Sequence, residues 1–309
     1  MSQLFEGFSR ATIRQSQPEI VPRDMVQPEL VSSEPLETPE VLGIAKAEGA
    51  VLAGTVEMNQ AFENDKNRTV MVQPTSTSRL VAWSDPNSLG AEKFRALAVR
   101  LDDMRRHLEL KSLQVTSSVI NEGKSFVAAN LAVTLAKYTG SKTLLIEGDL
   151  HRPTLASMFG LKDLQGLSDW WTGRNQDIAR FLVRLTGTGL YLLPAGKPCD
   201  RPSEILRSAQ LAEAFAQLAG RFDWIVVDST PMLPVIDANL WSKLVDGTLL
   251  VVREGVAPLK ALKNGLQSLD NPNLIGVVVN EASEFDQVDY QGQYYGARKY
   301  GDKSSKNGR

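Results

Sequence analysis

The chain has 309 residues, a formal net charge of −2, 42% hydrophobic residues and 23% charged residues. That is the balance of a soluble globular protein, and it carries no electrostatic footprint for nucleic acid, so no nucleic-acid partner is expected. A single cysteine, Cys199, excludes an intramolecular disulfide, and no apolar run approaches the ~20 residues needed to span a bilayer. Met1 to Arg14 lacks the apolar centre of a signal peptide, and a cytoplasmic protein is expected.

In chain order, Leu4, Phe5, Phe8 and Ile13 can share one face of a short docking helix or belong to a frayed terminus. Residues 1–78 read as a mostly disordered extension, because prolines recur at Pro18, Pro22, Pro28, Pro35 and Pro39 among Glu, Gln and Ser. The folded domain is expected over residues 79–280. A helix is predicted over 91–110, with Phe94, Leu97, Leu101, Met104 and Leu108 on its apolar stripe. Strands are then expected near 112–116, 143–147, 189–193, 223–228, 246–252 and 274–279. Helices are expected near 124–138, 203–219, 236–244 and 258–269. The alternation predicts an α/β fold, a doubly wound parallel sheet flanked by helices. Runs such as Trp224–Val227 and Leu249–Val252 are apolar throughout, as strands covered on both faces must be. Residues 281–309 read as a flexible tail. Four of the chain's six tyrosines, Tyr290, Tyr294, Tyr295 and Tyr300, lie there, and their enrichment suggests a tail whose tyrosines are themselves used.

Three strand ends carry the chemistry. Gln114 to Ser125 reads as a strand, a tight loop and a helix start, closing on Gly123-Lys124-Ser125. Such a loop offers backbone N–H groups from Asn121 to Ser125 to phosphates, a lysine to the β/γ oxygens and a hydroxyl to Mg²⁺. The usual glycine five residues before Gly123 is replaced by Ser118. The apolar run Thr143–Ile146 ends in Glu147 and Asp149, and Trp224–Val227 ends in Asp228. Ligands of open α/β sheets bind at the carboxyl ends of the strands, so the three ends together specify a nucleoside-triphosphate site of the P-loop type.

Taken with Glu92-Lys93-Phe94-Arg95, Leu145-Ile146-Glu147-Gly148-Asp149-Leu150-His151-Arg152-Pro153, Phe222–Pro231, Ile236-Asp237-Ala238, Gly276–Asn280 and the terminal tyrosines, these segments resemble the bacterial tyrosine kinases of capsule and exopolysaccharide synthesis. The resemblance covers residues 79–309. It implies an ATP- and Mg²⁺-dependent kinase that phosphorylates Tyr290, Tyr294, Tyr295 and Tyr300 in trans within a homo-oligomer. It also implies recruitment to the inner face of the membrane by a separate, membrane-bound activator of the chain-length-determinant type. Partition and cell-division ATPases share the fold but carry a signature lysine where this chain has Val119, which opposes a positioning ATPase. A regulatory scaffold that binds nucleotide without transfer is the other alternative.

The phosphate loop assigns nucleotide contacts to Ser118, Asn121, Glu122, Gly123, Lys124, Ser125 and Phe126, and Asn280, at the end of the last expected strand, is either an adenine contact through its side-chain amide or a strand-ending turn residue. The resemblance assigns Mg²⁺ to Ser125, Asp149 and Asp228. Lys124 serves catalysis, and Glu147 or Asp149 orients the tyrosine hydroxyl. The chain departs from the family at Ile120-Asn121, where Pro-Gly is usual, and at Glu147, where Asp is usual. Asn tolerates the left-handed conformation better than other non-glycine residues, so the turn is expected to survive. Oligomer contacts fall on Glu92 and Arg95. Ala98 stands where a second arginine is usual, and Arg100, two residues on, points to another face of the helix.

Overall fold

The structure is a computed structural model that describes residues 69–72, 79–173, 177–234, 236–269 and 273–281. The chain divides into Met1–Ala50 and Val51–Arg309, and every described residue belongs to the second unit. The N-terminal docking helix, most of the extension and the tail tyrosines lie outside the described residues.

Among the described residues, eight strands form one sheet. They are β1 (Thr69–Val70), β2 (Ser112–Ser117), β3 (Thr143–Glu147), β4 (Val183–Leu185), β5 (Leu190–Leu193), β6 (Trp224–Asp228), β7 (Gly247–Arg253) and β8 (Leu274–Asn280), in the order β1-β4-β5-β3-β6-β2-β7-β8. Among the described strands, neighbours from β5 to β8 run parallel, as do β1 and β4, and β4 and β5 pair antiparallel. The helices are α1 (Val81–Ser84), α2 (Leu89–Arg105), α3 (Lys124–Lys137), α4 (Leu155–Met158), α5 (Leu167–Thr172), α6 (Pro202–Leu206), α7 (Ala209–Ala219), α8 (Asp237–Ser242) and α9 (Leu259–Ser268).

Alternation along the central strands builds two large cores, and Leu250 of β7 joins a smaller one with Met232, Ala238 and Leu269. Leu145 and Val226 face one side with Leu113 and Val115, under Leu131 and Leu135 of α3 and Phe94, Ala98 and Leu101 of α2. Leu144, Ile146, Ile225 and Val227 face the other, under Leu211, Phe215 and Leu218 of α7 and Trp241 of α8. The period-2 exchange of faces makes a continuous apolar run the signature of a doubly covered strand. The alanine-rich α3 is buried from Val127 to Ala136 because sheet and α2 enclose it from both sides.

Several boundaries differ from the sequence expectation. The sheet begins ahead of Arg79, since Thr69 and Val70 pair with Arg184 and Leu185. The helix expected over 91–110 runs from Leu89 to Arg105. Ser88 opens it by accepting the Ala91 N–H, and Leu108 lies beyond its end, exposed. The helix expected over 203–219 is two helices, because Ser208 takes an extended backbone and caps the second by accepting the Leu211 N–H at 3.1 Å. The expected strand near 189–193 is β5, and it pairs antiparallel with β4, which the sequence does not signal because Val183-Arg184-Leu185 is too short to show a period. Among the described residues no helix is long and apolar enough to cross a membrane.

Candidate nucleotide site

The strand order places the three carboxyl ends side by side, with β6 between β3 and β2. Register pairs Asp228 with Glu147 on one side and Val115 on the other. The loop from Ser118 to Gly123 rises above this seam and feeds α3.

The loop turns through left-handed backbone at Asn121 (φ 65°) and Gly123 (φ 96°). Asn121 therefore meets the turn as its residue type predicts. A side chain at Gly123 would collide with the Asn280 amide. Glu122 is fully buried and points into the loop itself. Its Oε2 accepts the Ser118 hydroxyl at 3.0 Å and the Val119 N–H at 2.9 Å, and its Oε1 accepts the Arg253 N–H at 3.3 Å. Asn280 donates to the Glu122 carbonyl at 2.9 Å. Ser118, Glu122 and Asn280 thus brace the loop, while Asn121, Gly123, Lys124, Ser125 and Phe126 line the cavity beneath it. α3 starts with no side-chain cap, which leaves its first N–H groups and the positive end of its dipole for a ligand.

Lys124 is the centre of charge. Its Nζ lies 2.8 Å from Asp149 Oδ2, 3.5 Å from Asp228 Oδ1 and 3.3 Å from the Ser125 hydroxyl. Burial alone would lower the lysine pKa, but the charges of Asp228 and Asp149 outweigh it and hold the pKa above the usual value. Burial raises Asp228 from 3.8 to about 6. Lys124 and a Ser125 hydrogen bond oppose the rise, and the charges of Asp149 and Glu147 add to it.

Glu147 and Asp149 separate clearly. Asp149 lines the cavity, touches Lys124, and accepts the Arg152 N–H at 3.0 Å. Glu147 is 1% exposed and lies behind the cavity wall. Its Oε1 accepts the Leu155 N–H at 2.5 Å and its Oε2 the Ala195 N–H at 3.1 Å, joining β3 to α4 and to the chain after β5. Burial raises its pKa and these N–H donors pull it back.

The cavity measures about 850 Å³ and includes residues that the sequence did not single out. Arg253, Arg79 and His151 stand on its wall. Arg253 ends an apolar strand just as Asp228 does, so the strand-end rule applied to β7 would have found it. His151 Nε2 lies 3.0 Å from Asp237 Oδ2, and Asp237 Oδ1 accepts the Ser203 hydroxyl at 3.0 Å.

The donor set suits Mg²⁺. Asp228 Oδ2 is buried with no hydrogen-bond partner among the described residues, beside the Ser125 hydroxyl. The described residues hold no cluster of three or more His, Cys, Asp or Glu side chains fit for a metal.

On α2, Glu92 and Arg95 form an ion pair, and Arg95 donates to the Pro86 carbonyl at 2.7 Å. Arg100 is exposed, whereas Ala98 is fully buried in the core that α2 shares with α3. The position where a second arginine is usual therefore faces the core in this chain.

No protein-family model matches the chain. CapB of Staphylococcus aureus, whose name assigns it to the tyrosine-protein kinases, is 31% identical over 229 residues, covering 73% of this chain and 97% of CapB. The succinoglycan biosynthesis transport protein ExoP of Rhizobium meliloti is 33% identical over 228 residues, and the chain spans 28% of its length. The kinase domain of the Escherichia coli tyrosine kinase ETK superposes with a TM-score of 0.60 at 26% identity, covering 66% of this chain and 82% of that domain. With the phosphate loop, the paired aspartates and this likeness together, the chain belongs to the bacterial tyrosine kinases related to capsule and exopolysaccharide synthesis.

Proposed function

We propose that this protein is an ATP-dependent protein-tyrosine autokinase acting on its own tail at Tyr290, Tyr294, Tyr295 and Tyr300, and that it regulates capsule or exopolysaccharide synthesis. The observation that carries the reading is Lys124 set between Asp149 and Asp228 at the adjoining ends of β2, β3 and β6. Phosphoryl transfer needs positioning and charge neutralisation more than covalent help, and this arrangement supplies both.

Lys124 neutralises β- and γ-phosphate oxygens, and the N–H groups from Asn121 to Ser125 cradle them. Ser125 and Asp228, with Asp149 directly or through water, would hold Mg²⁺, which would supply positive charge to offset the phosphates. Asp149 is also the carboxylate placed to orient the attacking tyrosine hydroxyl and take its proton. The tyrosine oxygen–phosphorus bond forms as the bond from the γ-phosphorus to the bridging oxygen breaks, and ADP leaves with the bridging electrons. Glu147 supports this centre from behind the wall. Tyrosines delivered by another copy in a homo-oligomer, with contacts at Glu92, Arg95 and Arg100, are part of the proposal. So is a membrane-bound activator of the chain-length-determinant type, which would bring the chain to the inner face of the membrane.

The test is autophosphorylation of the purified chain with ATP and Mg²⁺, read by tyrosine-site mass spectrometry beside Lys124→Met. It is repeated with the juxtamembrane segment of a candidate activator. Phosphate on the tail that disappears in the variant supports the kinase. Nucleotide binding with no phosphate under either condition overturns it in favour of a regulatory scaffold. The observation favouring that second reading is Glu147, whose carboxylate is engaged by backbone and kept from the cavity.

A further inference from the structure

Arg253 joins two places that the phosphate-site reading leaves separate. At the end of β7 its guanidinium lines the nucleotide cavity and reaches the Asn121 carbonyl at 3.4 Å. The same guanidinium forms an ion pair with Glu281. Glu281 is the first residue after β8, and residues 282–309 with their four tyrosines continue from it. Glu281 also stands at φ 51°, in the left-handed region that a non-glycine residue keeps only when its surroundings impose it.

The cavity has a use for this cation. Lys124 already faces two carboxylates, so its single positive charge is more than offset before a phosphate arrives. Even with Mg²⁺ bound, Lys124 facing Asp149 and Asp228 would leave a triphosphate under-neutralised, so a further cation has a use. A guanidinium presents a planar fork of donors that matches phosphate oxygens, and Glu281 engages that fork in the nucleotide-free chain. Backbone contacts fix the position of Arg253 independently of its side chain, since its N–H is bonded to Glu122.

We propose that Arg253 exchanges Glu281 for phosphate oxygens of the bound nucleotide, so that occupancy of the site releases the root of the tyrosine-rich tail. The inference rests on the nucleotide-site reading above and adds a regulated coupling to it. Because carboxylate and phosphate compete for one fork, the coupling has a definite sign. Glu281 weakens nucleotide binding, and nucleotide weakens the hold on Glu281 by the same factor.

The test titrates the full chain with ADP and ATP in the presence of Mg²⁺, by calorimetry, for wild type, Arg253→Ala, Arg253→Lys, Glu281→Gln and the Arg253→Ala/Glu281→Gln pair. Arg253→Ala is expected to weaken binding about tenfold or more, the loss typical of a hydrogen bond to a charged group, and Arg253→Lys to recover part of it. Glu281→Gln is expected to tighten binding about two- to fivefold, the range of a half-exposed ion pair, and to do nothing once Arg253 is gone. Hydrogen exchange supplies the second readout: amides following Glu281 exchange faster with nucleotide in wild type and show no such change in Arg253→Ala. Glu281→Gln binding no tighter than wild type, or tightening equally without Arg253, overturns the latch. Lys124→Ala keeps the two readings apart. Binding lost there but unchanged in the Arg253 variants leaves the nucleotide site standing and removes the latch, and a wild-type chain that binds no nucleotide removes both.

Discussion

Asn280 donates its side-chain amide to the Glu122 carbonyl at 2.9 Å, tying the last strand of the sheet to a loop 158 residues earlier. The contact occupies the space beside Gly123, where any Cβ would strike that amide. Gly123→Ala therefore suffers twice, from the collision and from a φ of 96°. Nucleotide binding is expected to be lost in this variant while the fold persists. Asn280→Ala removes only the clamp, and is expected to cost about 1 kcal/mol in urea unfolding with a weaker grip on nucleotide.

Glu122 serves as a buried acceptor for Ser118, Val119 and Arg253. Glu122→Ala strands the buried Ser118 hydroxyl and two half-buried N–H groups, and a loss of about 1–3 kcal/mol is expected. Glu122→Gln keeps the shape and an acceptor oxygen, and is expected to lose less. A Glu122→Ala chain as stable as wild type in denaturant titration would remove the brace from the account.

Asn121 holds φ 65° where relatives of this kind usually place glycine. Asn121→Gly relieves the left-handed strain and leaves the backbone N–H in place. It is expected to preserve or improve nucleotide affinity, with stability changed by less than about 1 kcal/mol. Asn121→Val, branched at Cβ and ill suited to this region, is expected to abolish binding. Equal affinities for the two variants would mean that the loop does not need this turn.

The sheet was legible because its strands are buried on both faces and announce themselves as unbroken apolar runs, as at Trp224–Val227. The strand ends were legible for the same reason, since the apolar runs of β3 and β6 stop at Glu147 and Asp228. Orientation was not. Glu147 and Asp149 are two residues apart and chemically alike, yet one carboxylate is held by the backbone of Leu155 and Ala195 while the other meets Lys124. Those partners lie 8 and 48 residues from Glu147, and no local pattern encodes them. The bonds from Arg253 and Asn280 to Glu122 were not legible either, because they close only when β7 and β8 arrive beside the loop.

The raised pKa of Asp228, about 6 against 3.8, fixes two pH dependences of opposite sign. Between about pH 4 and 6 the folded, nucleotide-free chain holds a proton that the unfolded chain has lost. The stabilisation is therefore complete at low pH and fades as pH rises through 6, and Glu147, also raised, acts in the same direction. Binding of Mg²⁺ with nucleotide requires the ionised carboxylate, so affinity is expected to rise through the same window with release of a proton. Calorimetry in buffers of different ionisation enthalpy reads that proton directly. Asp228→Asn is expected to raise the apo stability near neutral pH and to erase the Mg²⁺-dependent part of binding. A pH-independent affinity from pH 5 to 8 would contradict the assignment of Asp228 to the metal.

The last contrast sets Asp149 against Glu147. Asp149→Asn leaves a side chain of the same size that hydrogen-bonds but neither balances Lys124 nor accepts the tyrosine proton. Tail phosphorylation is expected to fall at least 100-fold, within the range assigned to a positioned general base, while nucleotide still binds. Glu147→Gln keeps one oxygen for the Leu155 or Ala195 N–H but turns an N–H₂ group toward the other donor. It is expected to destabilise the fold by about 1–3 kcal/mol and to leave the transfer rate per folded molecule within severalfold of wild type. Glu147→Asp draws the carboxylate back by one methylene, and the loss of both backbone bonds makes it no gentler despite the preserved charge. Phosphorylation rates corrected for folded fraction distinguish the two residues. A collapse of transfer in Glu147→Gln at unchanged stability would move the proton-accepting role from Asp149 to Glu147.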